Sequence, residues 1–227
     1  MWFSPNTPKQ RSRPKKGQKK NEVTPPDLAA VFELMNNAKQ AILFLVFQPG
    51  MPSVVQQAAN IGKKNPDLFI RGAATDPKAV GSWDAILQHR AGQGPDKVVA
   101  ASAINDQFAY WQKELLKSGP KAHAIVHSKI VIIDPMSDDS VVITGSHNLG
   151  FQASYNNDEN MMIVRGHARL AQAYAVNVLD VYDHYRFRYI IQKNGKAAFS
   201  GLETNDKWQD KYFDPKNPAS KDASAWL

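Results

Sequence analysis

The chain of 227 residues contains no cysteine and no long apolar segment. Without cysteine it cannot form a disulfide, use a thiolate nucleophile or bind a metal through sulfur, and this absence suits a reducing compartment. The longest apolar run, Ala41–Phe47, is far shorter than the roughly 20 residues that a membrane-spanning helix needs. No apolar core of a signal peptide follows the basic start of the chain. These absences favour a soluble, cytoplasmic protein.

Acidic residues are also missing from the first twenty positions, and this explains the net charge of +7. The same stretch contains seven basic residues, namely Lys9, Arg11, Arg13, Lys15, Lys16, Lys19 and Lys20. The rest of the chain has 21 basic and 21 acidic residues, so it is formally neutral. We expect residues 1–23 to form a disordered basic tail, either a solvated linker or a segment that contacts an anionic membrane or nucleic acid.

The pattern of apolar residues predicts alternating helices and strands. One helix is expected to begin after Thr24 and another after Ser53, because both residues can cap a helix. Further helices are predicted at Asp106–Pro120 and Arg169–Tyr185. Strands are predicted at Ala41–Phe47, Asp67–Ala74, His123–Asp134, Val141–Thr144 and Asn160–Val164. This alternation indicates an α/β fold with a mainly parallel or mixed β-sheet flanked by helices.

Composition divides the chain into the basic tail, a folded domain at residues 24–190 and a C-terminal segment at residues 191–227. In the last predicted helix, the residues expected to face the core are Leu170, Ala173, Val176 (or Asn177), Val178 and Val181. The C-terminal segment is expected to be irregular and to cover the domain. Its aromatic residues, among them Trp208 and Phe213, either line a substrate entrance or only pack this segment.

Two polar residues interrupt the apolar stretch HAIVHSKIVIID, which runs from His123 to Asp134. Because side chains alternate along a strand, His127 and Lys129 are predicted to share one face. An imidazole can attack an electrophile or transfer protons near neutral pH. An ammonium group can neutralise a phosphate oxygen. The pair therefore predicts one wall of a phosphate site.

The next predicted strand leads into TGSHNLG, which supplies Ser146 and Asn148 as neutral donors. Their spacing places both on one side of an extended chain, and His147 between them is expected to face away as a structural residue. Glu159 follows eleven residues after Asn148, and a carboxylate there would fix the tautomer of a catalytic histidine. The set is suited to phosphoryl chemistry without a metal. Asp134 has the opposite strand parity to His127, so we expect it to support the framework.

The stretches HSKIVIID and GSHN, with Glu159 downstream, together resemble the signature of the phospholipase D superfamily over residues 28–189. The resemblance implies a phospholipase D-like half-domain that cleaves a phosphodiester in two steps without a cofactor. It implies that His127 forms a phosphohistidine, that Lys129, Ser146 and Asn148 bind the phosphate, and that Glu159 orients His127. Asp134 completes the motif and so belongs to the catalytic set.

The chain departs from the family pattern in two respects. Ten residues separate Asp134 from Gly145, more than the usual spacer, and this predicts a longer turn. Family sites combine two copies of the motif, whereas this chain has one. The second histidine would come from a symmetric homodimer or from another motif-bearing half of a longer enzyme.

Three functions remain open at this stage. The first is hydrolysis or transfer of a phospholipid phosphodiester. The second is a metal-independent endonuclease that acts as a homodimer. The third is a non-catalytic half or partner subunit.

Overall fold

The computed structural model describes residues 1–6, 24–75, 98–100, 126–194, 204–217 and 219–220. Its strands are β1 (Trp2–Phe3), β2 (Ala41–Val46), β3 (Phe69–Ala74), β4 (Val98–Ala100), β5 (Ile130–Ile133), β6 (Val141–Gly145) and β7 (Asn160–Arg165). Its α-helices are α1 (Pro26–Asn36), α2 (Val54–Lys64), α3 (Phe151–Tyr155), α4 (Ala168–Asn194) and α5 (Asp210–Phe213), the last preceded by a 3₁₀ turn at Asp206–Gln209. The helix predicted at Asp106–Pro120 lies outside the described residues.

The strands form one sheet in the order β1-β7-β6-β5-β2-β3-β4. Among the described strands, β2 pairs in parallel with β3, and β3 with β4, while the other neighbours are antiparallel. The sheet is therefore mixed, the second of the two predicted forms. The antiparallel half arises because a short turn joins β5 to β6, and such a connection requires antiparallel strands.

Helices cover both faces of the sheet, which explains why its central strands are continuously apolar. Ile42, Phe44 and Val46 of β2 point into a core shared with α1 and α2. Leu43 and Leu45 point to the other face, where they pack against α4. Every residue of β2 and β3 is buried. The core thus gives the polar residues at the strand ends a rigid support.

The two predicted helix starts have different outcomes. The Oγ atom of Ser53 accepts a hydrogen bond from the Gln56 amide at 3.2 Å, so Ser53 caps α2 as predicted. The prediction for Thr24 is wrong, since Pro25 is the N-cap of α1 and no side chain caps it. Pro26 occupies the first helical turn and starts this helix with its fixed φ angle.

Helix α4 is longer than predicted, and its buried face is shifted. Ala171, Ala175, Val178 and Tyr182 face the sheet. The inward orientation of Val178 is confirmed, but Ala173 is exposed and Val176 is 69% exposed. Leu170 and Val181 are partly buried and pack against the core, as predicted.

The first residues of the chain are ordered, contrary to the prediction of disorder for residues 1–23. Trp2 pairs with Met161 in the antiparallel pair of β1 and β7, and the Trp2 side chain packs against the core. These contacts offset the entropy lost on ordering the segment. Residues 7–23 lie outside the described residues.

The C-terminal segment also differs from the prediction. Residues 191–194 continue α4, and residues 206–213 are helical instead of irregular. No residue of the 3₁₀ turn or of α5 is buried, and Trp208 and Phe213 are 54% and 75% exposed. The described part of this segment therefore does not cover the core. Among the helices of the described ranges, none is both long and apolar enough to cross a membrane.

Candidate active site

His127 and Lys129 lie just before β5, not within a buried strand as predicted. The described residues 126–129 have no regular secondary structure, and β5 begins at Ile130. The His127 side chain is exposed, and its ring contacts that of Phe47 edge to face, with 4.7 Å between centroids. The imidazole is therefore positioned by an aromatic neighbour and is open to solvent.

Thr75 explains why the segment leaves the sheet at this point. Its Oγ1 atom donates to the carbonyl oxygen of Val126 at 2.7 Å and accepts from the Val126 amide at 3.0 Å. A side chain thus satisfies both backbone groups that a neighbouring strand would otherwise pair. The segment is anchored one residue before His127.

Lys129 lies next to His127, and its ammonium group is attracted to the Glu159 carboxylate. Its Nζ atom donates to the carbonyl oxygen of His127 at 2.6 Å and lies 5.2 Å from the centre of the Phe47 ring. Partial burial of the ammonium group lowers the pKa of Lys129, although attraction to Glu159 opposes this shift. The two motif residues therefore share one surface with Glu159.

The end of β6 places Ser146 beside the first residue of β7. The amides of Ser146 and His147 both donate to the carbonyl oxygen of Asn160 at 3.1 Å. The Asn160 amide donates in return to Ser146 Oγ at 3.0 Å. Gly145 makes this approach possible, because it adopts φ +147° and a Cβ atom there would overlap the Asn160 carbonyl oxygen. Ser146 is exposed at this corner.

Asn148 is half-buried, and its amide retains hydrogen-bonding capacity. Its Oδ1 atom is buried and has no hydrogen-bond partner among the described residues. Unpaired buried polar atoms are unfavourable. Because Oδ1 is an acceptor, it can take a hydrogen bond from a donor that a ligand brings into the site.

Glu159 is tied to the N-terminal strand and to its own loop. The Ser4 amide donates to its carbonyl oxygen at 3.0 Å, and its amide donates to Ser4 Oγ at 3.2 Å. Asn157 Nδ2 donates to the carboxylate at 3.1 Å. Within the described residues no hydrogen bond joins Glu159 to His127, so the orienting role predicted for this carboxylate is not seen in the structure.

Asp134 lies at the opposite end of β5 from His127. Its buried carboxylate accepts hydrogen bonds from the backbone amides of Lys39, Gln40 and Ala41 at 2.8, 2.7 and 2.9 Å. These bonds join the end of β5 to the start of β2. The observed contacts of Asp134 are structural, and none is with another motif residue.

Sequence reasoning missed a buried cluster around Asp27. His147 Nε2 lies 3.0 Å from Asp27 Oδ2, and Ser154 Oγ donates to Asp27 Oδ1 at 2.9 Å. Asn6 Nδ2 also donates to Asp27 Oδ2, at 2.7 Å. His147 does face away from Ser146 and Asn148, and it is only 2% exposed. A histidine expected to face the core indicates that a polar partner is buried with it. The sequence does not identify that partner, because Asp27 is 120 residues away in the chain.

The Asp27 carboxyl group is ionised despite its burial. Burial raises its pKa and is the largest single effect. Hydrogen bonds from His147, Asn6 and Ser154 oppose this effect, and the pKa of Asp27 lies below its usual value. A charged carboxylate thus lies beneath the turn that carries Ser146 and Asn148.

The open face of the candidate site is formed by His127, Lys129, Ser146 and Glu159, with Asn148 half-buried beside them. Its side chains are an imidazole, an ammonium group, a hydroxyl and a carboxylate, which are types of group that phosphoryl transfer can use. Across the described ranges, no group of three or more His, Asp or Glu side chains is placed to hold a metal ion.

Comparisons with known proteins find one matching family model and several similar solved structures. The family model described as cardiolipin synthase, PLD-like domain, matches residues 31–179. A solved phospholipase D family member, Nuc from Salmonella typhimurium, is 16% identical with a TM-score of 0.47, and the match covers 69% of this chain and 86% of Nuc. NucT from Helicobacter pylori is 14% identical with a TM-score of 0.45, covering 67% and 87%. No curated protein matches the chain significantly.

Proposed function

Since the chain belongs to the phospholipase D-like family, we propose that it is a phosphodiesterase in which His127 attacks phosphorus. The observation that carries the proposal is the exposed His127 side chain next to Lys129, whose ammonium group donates to the backbone carbonyl oxygen of His127 and is attracted to Glu159. A nucleophile and a phosphate-binding cation are thus held together on one open surface.

In the first step a ring nitrogen of His127 forms a bond to phosphorus, and the bond from phosphorus to the leaving oxygen breaks. In the second step water or an alcohol attacks phosphorus, the bond from phosphorus to His127 breaks, and the proton of the attacking oxygen passes to a second histidine. The leaving oxygen needs a proton, which a second histidine donates. That histidine is His127 of a second copy in a homodimer, or belongs to another motif-bearing half.

The other motif residues have separate roles in this proposal. Lys129, Ser146 and Asn148 bind the phosphate oxygens, on which negative charge is distributed in the transition state. Glu159 orients His127 when substrate is bound and stabilises its charged form. Asp134 acts on catalysis only by holding β5 against β2.

We propose a phospholipid as the first candidate substrate, cleaved or transferred at its phosphodiester. The family description names a synthase of cardiolipin, which is a phospholipid. The formal neutrality of residues 21–227 also favours a substrate that is not a long polyanion.

Nucleic acid is the second candidate, supported by the seven basic residues among the first twenty. Such a run binds phosphates and releases counterions, so binding would weaken steeply as salt increases. The corresponding enzyme is a metal-independent nuclease that is active as a homodimer.

A substrate panel in EDTA tests these proposals. Phospholipid vesicles, DNA and RNA are incubated with the wild-type protein, with His127→Ala and with the matched control His167→Ala, which changes an exposed histidine outside the site. We expect turnover of one substrate class, abolished only by His127→Ala. A labelled phosphohistidine, stable in base and labile in acid, should accumulate after rapid quenching.

Each outcome of the panel decides between the proposals. Headgroup release identifies the lipid enzyme, and cleavage of nucleic acid that weakens with salt identifies the nuclease. Turnover that persists in His127→Ala contradicts the assigned nucleophile. If no phosphodiester is cleaved and the native mass is that of a monomer, the chain is a non-catalytic half or partner subunit.

A further inference from the structure

We propose that His147 and Asp27 are positioning residues that hold the turn carrying Ser146 and Asn148 in its phosphate-binding conformation. The inference rests on the proposed function, in which Ser146 and Asn148 bind the phosphate. It adds to the active site a buried pair that does not contact substrate.

The His147 ring bridges the turn and the core. The Leu149 amide donates to His147 Nδ1 at 2.9 Å, so this nitrogen carries a lone pair and the ring proton is on Nε2. Nε2 then donates to the Asp27 carboxylate at 3.0 Å. One ring thus makes a local bond within the turn and a long-range bond to helix α1.

The turn needs such support because its backbone is strained. Leu149 adopts φ +55°, a left-handed conformation that bulky residues rarely take, and it is almost fully buried. Such conformations persist where the surroundings impose them. The bond from the Leu149 amide to His147 provides this restraint one residue after Asn148.

Asp27 is itself fixed from three further directions. Its carboxylate accepts from the Leu28 amide at 2.7 Å, from Ser154 Oγ at 2.9 Å and from Asn6 Nδ2 at 2.7 Å. The ring of His147 therefore meets an anchored acceptor instead of a mobile one. The direction of Ser146 and Asn148 is set through this contact, since the three residues are consecutive.

Two substitutions of His147 test its two hydrogen bonds separately. His147→Asn retains an acceptor for the Leu149 amide, as in an Asx turn, but cannot reach Asp27. His147→Gln can reach toward Asp27 but loses the local bond. His167→Asn is the matched control, because His167 is exposed and its Nδ1 accepts from the Leu170 amide, a contact that asparagine can replace.

Turnover of the substrate found in the panel is measured well below the unfolding midpoint of each variant. We expect both His147 variants to lower kcat/KM by about 10²-fold, since a small displacement of binding groups has effects of this size. The same substitutions are repeated in a Ser146→Ala/Asn148→Ala background, where they should have no further effect. A general structural role predicts the same loss in both backgrounds, and that result, or unchanged kcat/KM, would overturn the proposal.

A second measurement does not depend on catalysis. Nitrogen-15 NMR should show the Nε2–H tautomer of His147, and inorganic phosphate should perturb the signals of Ser146 and Asn148 more weakly in both His147 variants. If the wild type cleaves no diester, the proposed function fails while this measurement still decides the inference. Equal phosphate affinity in wild type and both variants would contradict the positioning role.

Discussion

The open face of the candidate site differs from the two buried carboxylates of the framework, Asp27 and Asp134. His127 and Ser146 are exposed, and among the described residues the His127 ring contacts Phe47 while the Ser146 hydroxyl accepts from the Asn160 amide. Asp27 accepts four hydrogen bonds and Asp134 accepts three, and both are buried. We therefore expect the groups proposed to touch substrate to contribute less to stability than the two carboxylates do. Substitutions should separate the two properties.

The largest effect is expected from Lys129→Met, on activity alone. Removal of the cation should lower kcat/KM about 10³-fold, or about 4 kcal/mol in transition-state stabilisation. The thermal midpoint should change little, because the ammonium makes one hydrogen bond within the described residues. Steady-state kinetics and a thermal melt measure the two effects, with Lys64→Met as an exposed control. A large fall in the thermal midpoint would contradict the prediction that Lys129 contributes to activity and not to stability.

The next effect is expected from Asp134→Asn, on stability alone. An asparagine can keep the left-handed backbone (φ +48°), but its amino group would face the Lys39 amide and leave that donor unpaired. We expect a loss of about 3 kcal/mol in unfolding free energy, or about 6–12 °C in Tm. Urea denaturation checks this against Asp139→Asn, an exposed aspartate in the same turn. A loss of kcat in the fully folded protein would instead show a direct catalytic role for Asp134.

A smaller effect is expected from acid, because protonation of Asp27 weakens its hydrogen bonds without removing the side chain. The pKa of Asp27 is lower in the folded protein than in the unfolded chain. Its stabilisation is therefore fully present above the unfolded value of about 4 and is lost as pH falls through the folded pKa. Urea midpoints between pH 7 and pH 2 should fall more steeply for the wild type than for Asp27→Asn. Parallel curves would show that this carboxylate is not a pH-dependent anchor.

The smallest effect is expected from Ser53→Ala, which removes a neutral buried contact instead of a charged one. Loss of the cap on α2 should destabilise the protein by about 1 kcal/mol, with unchanged turnover. Ser137→Ala provides the comparison, since the Ser137 hydroxyl accepts only from Asp139 in an exposed turn. If Ser53→Ala destabilises as strongly as Asp134→Asn, charge is not what distinguishes the carboxylates.

Local patterns predicted much of this architecture. The strands β2, β3, β6 and β7 and the helix after Ser53 follow from apolar runs and one capping residue, which act over a few positions. The motif residues were selected by their spacing along neighbouring strands. The structure brings Lys129 near Glu159 and joins Ser146 to the residue after Glu159.

Other features depend on contacts that no local pattern contains. The link between Asp27 and His147 spans 120 residues, and an acid at a helix start is already explained by the helix dipole. Strand β1 is only two residues long and is stabilised by its pairing with β7. Strand β5 begins at Ile130, later than its apolar run predicts, because the Thr75 side chain replaces a strand partner for Val126. In each case tertiary contacts override the local preference.

The turn between β5 and β6 has a consequence for engineering. Ser137 and Ser140 close it, and Met136, Asp138 and Asp139 are exposed on it. Strand β5 has four residues, which places the turn about 13 Å from the end that carries His127. Extra residues in this turn therefore lie at the end of β5 opposite the candidate site. The turn is a suitable place to insert a reporter peptide or a surface tether.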